Sequence, residues 1–125
     1  MEEKSSVALV DNERNILTSL GMALEAAGFR VRAYGDTASA LEALATGPAD
    51  VALLDYSNGP FDGLELFRRL RQLSDMPMIF LSAHAEMLEE LDVGADDYIS
   101  KPFSQRLVVD RVKAVLRRHQ RKDAG

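Results

Sequence analysis

"VALLDYSNGPFDG", Val51 to Gly63, decides how this chain is read. Val51 to Leu54 are apolar without a break, Asp55 follows, and the chain then turns through Ser57, Asn58, Gly59 and Pro60. A short apolar run closed by turn residues is the pattern of a strand buried on both faces. Such strands belong to parallel sheets with helices above and below. Asp55 would then stand at the carboxyl end of a central strand, where open α/β sheets bind their ligands. By itself, an aspartate after a strand is equally a turn residue. The other strand ends decide between the two.

Working outward, "VALV" (Val7–Val10) and "MIFLS" (Met78–Ser82) are two more apolar runs of the same kind. "FRVRAY" (Phe29–Tyr34) alternates apolar and polar residues, as a strand with one wet face does, and "DYIS" (Asp97–Ser100) is short. Helical periods lie between them. Ile16, Leu20, Ala23, Leu24 and Ala27 stop at Gly28; Ala40, Leu41 and Leu44 follow a cap at Asp36 or Thr37. Leu66, Phe67, Leu70 and Leu73 follow Asp62 and Gly63, and a short helix around Met87, Leu88 and Leu91 ends at Gly94. Val108, Val112 and Val115 follow a cap at Ser104. Strict alternation of strand and helix predicts a doubly wound parallel sheet. The apolar strands belong at its centre and the second and fifth at its edges, which gives the flavodoxin-like (βα)5 order 2-1-3-4-5.

Composition sets bounds. The 125 residues fit one domain, expected over 1–120 with 121–125 opening a linker or tail. There is no cysteine, so disulfides and thiolate metal sites are excluded. No apolar stretch approaches a membrane span, and "MEEKSS" lacks the core of a signal peptide, so a cytoplasmic location is expected. A net charge of −5 argues against direct nucleic-acid binding, and the basic run Arg117–Lys122 reads as cations at a helix C-terminus.

The predicted strand ends carry a coherent set. Asp11, Asn12 and Glu13 follow the first strand; Asp55 ends the third, Ser82 the fourth, and Lys101 follows the fifth. Each alone has an ordinary explanation as a cap, turn or surface residue. Together on one rim they point to a site. Two carboxylates about 4 Å apart repel by roughly 4 kcal/mol at an effective dielectric near 20, so a cation or the lysine must offset them. Oxygen ligands with several waters suit Mg2+. A carboxylate beside Mg2+ and an ammonium can act as a nucleophile toward phosphorus.

At these residues the chain resembles a response-regulator receiver domain of the OmpR/PhoB type. "VDNER", "LLDYSNGPFDG", "FLSAH" and above all "GADDYISKPFS" carry the resemblance, and "SQRLVVDRVKAVLRR" looks like the final helix of ChvI-like regulators. The resemblance implies a phosphoprotein of a two-component system rather than an enzyme. A sensor histidine kinase donates a phosphoryl group to Asp55. Asp11, Asn12, Asp55 and the Ser57 backbone carbonyl hold Mg2+, and Lys101 pairs with the phosphoryl group across a Lys-Pro bond usually kept cis. Ser82 and Tyr98 act as switch residues, while Ser57 and His84 tune dephosphorylation. The resemblance further implies a homodimer through α4-β5-α5, with Asp96, Asp97 and Arg111 matching its salt-bridging residues, and transcription control by a DNA-binding domain absent from this chain.

Three departures accompany it. Asn12 stands where the family usually has its second acid, which predicts weaker Mg2+ binding. Asn58 and Gly59 replace a usual Met-Pro pair, which predicts a differently shaped loop. Ser82 to Gly94 is about one helical turn short, and Leu107 replaces a common acid on the dimer face. The alternative is a pseudo-receiver, an interaction module of the same fold with little or no phosphorylation. A phosphohydrolase would need an acid where Ser57 stands, and a flavin carrier would need phosphate donors where "DNERN" offers acids.

Overall fold

In a computed structural model, residues 4–56 and 62–124 are described, with side chains to residue 120. Five strands and five helices alternate: β1 Ser6–Val10, α1 Arg14–Ala26, β2 Arg30–Tyr34, α2 Thr37–Thr46, β3 Val51–Asp55, α3 Gly63–Leu73, β4 Met78–Ser82, α4 Ala85–Glu90, β5 Asp97–Ser100 and α5 Gln105–Ala124. All strand pairs are parallel, in the order β2-β1-β3-β4-β5. The order expected from strand hydrophobicity holds because β1, β3 and β4 are buried at every residue.

The pleat divides the core in two. Ala8, Val10, Ala52, Leu54, Met78 and Phe80 face α2, α3 and α4, while Val7, Leu9, Val51, Leu53, Ile79, Leu81 and Ile99 face α1 and α5. Successive side chains of a strand point to opposite faces, so each apolar strand serves both clusters. Val108, Val112 and Val115 are fully buried, as their spacing predicts.

The expected caps form. Asp36 accepts from the Ser39 N–H (2.7 Å), Asp62 from the Glu65 N–H (2.9 Å) and Ser104 from the Leu107 N–H (3.0 Å). α1 ends where Gly28 takes φ 100°, a conformation that disfavours side chains.

Some expectations change. Arg32 of β2 is half-buried, not on a wet face. Its guanidinium donates to the Gly47 carbonyl (2.7 Å) at the end of α2 and to the Tyr34 hydroxyl (3.0 Å), while Arg30 and Ala33 are the exposed residues. Met87 and Leu91 are exposed and only Leu88 of that trio is buried, because α4 has six residues and ends before Leu91. This short helix agrees with the missing turn between Ser82 and Gly94. α5 runs to Ala124. No helix among the described residues is long and apolar enough to cross a membrane.

Candidate functional site

The ladders of the sheet deliver the site. Val10 lies opposite Leu54, and Asp55 opposite Leu81. The pairing continues past the strand ends: the Asp11 N–H donates to the Tyr34 carbonyl (3.1 Å), the Tyr56 N–H to Leu81 (3.0 Å) and the Lys101 N–H to Ser82 (2.9 Å). Period-two alternation carries Val7 and Leu9 to Asp11, Leu53 to Asp55 and Ile99 to Lys101, all on the α1/α5 side. Ser82 follows Met78 and Phe80 on the other side.

Four of the expected residues come together around Lys101. The Lys101 ammonium lies 2.5 Å from Asp55 Oδ1, 3.5 Å from Asp11 Oδ2 and 3.8 Å from Glu13 Oε1. The Lys101–Pro102 bond is cis. Asp11 and Asp55 are buried, 0% and 1% exposed. Asp11 Oδ1 accepts the Glu13 N–H (2.8 Å), but Asp11 Oδ2 is buried without a hydrogen-bond partner. A buried carboxylate oxygen with no hydrogen bond, and only the Lys101 charge at 3.5 Å, is costly and suits a cation's ligand.

The electrostatics agree. Burial raises the Asp11 carboxyl above its ordinary pKa, and the Asp55 charge adds to this, against the Glu13 N–H and Lys101. For Lys101, burial works against the charge, but the Asp55 hydrogen bond and the charges of Asp11, Asp55 and Glu13 outweigh it and raise its pKa.

The remaining expected residues are placed as follows. Asn12 is exposed, beside Asp11. The Ser82 hydroxyl is fully buried and accepts the His84 N–H (2.8 Å) at the start of α4. His84 is exposed. Tyr98 is half-buried, its ring stacked on Phe80 at 6.2 Å and its hydroxyl accepting the Ala95 N–H (3.3 Å). Asp97 is paired within the chain to Arg111, whose Nη1 reaches both carboxylate oxygens at 2.8 Å. Asp96 lies near the start of β5, away from the rim, where its carboxylate holds the Met78 N–H (2.9 Å), Arg71 (3.4 Å) and His119 (2.9 Å). The Ser57 carbonyl and the Asn58–Gly59 turn lie outside the described residues.

Gly63 gained no role from the sequence beyond opening α3. A Cβ there would collide with the Asp55 backbone carbonyl, so α3 begins hard against the residue it flanks. The only available signal was a glycine directly after a helix cap, where a side chain is normally tolerated.

The donors fit a hard divalent cation. They are two buried carboxylates, with one carboxylate oxygen unsatisfied.

Comparison with known proteins gives a consistent result. The model of the response regulator receiver domain matches residues 7–113. The transcriptional regulatory protein CseB of Streptomyces avermitilis is 42% identical over 121 residues, covering 94% of this chain and 52% of that protein. The phosphate regulon transcriptional regulatory protein PhoB of Pseudomonas aeruginosa is 40% identical over 119 residues, covering 90% of this chain and 52% of that protein. The chain thus spans about half the length of these relatives. A CheY-like receiver domain from Methanospirillum hungatei superposes with a TM-score of 0.88 at 25% identity, over 96% of this chain and 99% of that one. The chain belongs to the response regulator receiver domain family of two-component signalling.

Proposed function

We propose that this receiver is a working phosphoacceptor. The observation that carries this is the Lys101 ammonium set on Asp55 Oδ1 beside the buried Asp11 Oδ2, which has no hydrogen-bond partner. Asp55 attacks the phosphorus of a phosphohistidine on a sensor histidine kinase; the P–O bond forms as the P–N bond breaks, and the leaving imidazole takes a proton. Lys101 pairs with the phosphoryl oxygens, as its raised pKa keeps it charged. Asp11, Asn12, Asp55 and the Ser57 carbonyl would hold Mg2+, which when bound offsets charge on the phosphoryl group. Ser82 gives up the His84 N–H and turns its hydroxyl to the phosphoryl group, and Tyr98 follows inward. In this reading the phosphoryl group on Asp55 is a stored signal, and the domain serves as a switch rather than an enzyme.

In this reading the domain acts in the cytoplasm and controls transcription through a DNA-binding domain of a longer protein, with pairing through α4-β5-α5. It does not itself bind nucleic acid. The relatives named as transcriptional regulators and the net charge of −5 support this.

Asn12 favours a second reading, a pseudo-receiver that serves as a binding module without phosphorylation. One experiment separates them. The protein is incubated with acetyl phosphate and Mg2+, and its intact mass is measured beside Asp55→Asn. A single phosphate adduct absent from Asp55→Asn is expected. No adduct, together with no response to beryllofluoride, would sink the phosphoacceptor reading.

A further inference from the structure

The chain replaces one expected acid of the rim by Asn12, yet a carboxylate remains at the mouth of the site. Glu13 is the N-cap residue just before α1, but its side chain makes no capping bond. Its backbone N–H is fastened to Asp11 Oδ1 (2.8 Å), and its Oε1 comes within 3.8 Å of the Lys101 ammonium. It is 62% exposed, above two carboxylates that are nearly or fully buried. Among the described residues, no trio of acidic or histidine side chains is placed to enclose a metal by itself. A hard cation held by Asp11 and Asp55 would therefore keep much of its water.

Charge completes the argument. Asp11, Asp55 and Lys101 together carry one net negative charge, so a divalent cation among them leaves one net positive charge. Glu13 brings the sum to zero. We propose that Glu13 supplies the charge that Asn12 lacks, accepting hydrogen bonds from water on the bound Mg2+ and making affinity for the ion depend on its carboxylate. This rests on the phosphoacceptor reading of the site.

The test is calorimetric titration of Mg2+ into wild type, Glu13→Gln, Asn12→Asp and the double variant at low ionic strength, with far-UV circular dichroism confirming that each is folded. Glu13→Gln is expected to weaken binding about five- to tenfold, and less as salt is added, because Glu13 is exposed. In the Asn12→Asp background the same change is expected to cost less than about twofold, since a second acid is then present. The inference is overturned if Glu13→Gln binds within about twofold of wild type, if the loss is equally large with Asp at position 12, or if wild type binds no Mg2+. Glu13-dependent binding without a phosphate adduct at Asp55 would refute the phosphoacceptor reading and leave the role of Glu13 standing.

Discussion

Asp11 bears much of the electrostatic cost of the site. Its Oδ2 is buried without a hydrogen bond, and burial holds its pKa above the ordinary 3.8. Ionised Asp11 therefore detracts from stability, and the deficit grows as pH rises from 3.8 through its folded-state value. Asp11→Asn should stabilise the metal-free protein by about 1–2 kcal/mol at neutral pH, with the gain vanishing below the ordinary carboxylate range. Urea unfolding at several pH values checks this, and a loss of stability at neutral pH would contradict it. Lys101 has the opposite dependence. Its folded-state pKa is raised, so its ion pairs contribute fully below the ordinary 10.5 and are lost as pH rises through the raised value. Asn12→Asp should tighten Mg2+ binding on the order of tenfold, and calorimetry would show it. Asp11, Asp55, Ser82 and Lys101 were all legible as residues of one rim, since each ends or directly follows a predicted strand. Which of them touch was not legible. Contact depends on the pleat, which puts Ser82 on the side opposite the other three.

The helices that flank the site are fixed by their first residues. α3 starts with Gly63 because Asp55's own carbonyl fills the space of a side chain. Gly63→Ala should push α3 outward and cost about 2 kcal/mol or more, read as a lower urea midpoint with an unchanged slope. α4 is short and begins under the Ser82 hydroxyl, which accepts the His84 N–H. Ser82→Ala should cost about 1 kcal/mol and speed hydrogen exchange at the start of α4; unchanged exchange there would remove Ser82 from any role in anchoring the helix. Strands and caps were readable because apolar runs and cap residues are local signals. Arg32 was misjudged as wet because its partners, the carbonyl ending α2 and the Tyr34 hydroxyl, come from the fold and not from strand alternation.

Across the whole molecule, Asp96 gathers what the site does not. Its carboxylate joins α3 through Arg71, β4 through the Met78 N–H and the last turns of α5 through His119. The resemblance marked Asp96 as a dimer-face residue; intramolecular partners at separations of 18, 23 and 25 residues are invisible to sequence spacing. Asp96→Ala should cost about 2–3 kcal/mol, because it strands a backbone donor and two basic side chains, and should loosen the end of α5 in hydrogen exchange. The strand order was legible from hydrophobicity alone, since central strands admit no polar residue until their tips. That same order makes the sheet a partition. Asp11, Asp55 and Lys101 belong to one compartment, while Ser82, Phe80 and Tyr98 belong to the other. Between them stands a close-packed sheet that yields little to compression. On the proposed phosphoacceptor reading, a change at Asp55 has to reach Tyr98 from the opposite face of the sheet, and Ser82, at the tip of the strand beside Asp55, already stands on the Tyr98 side.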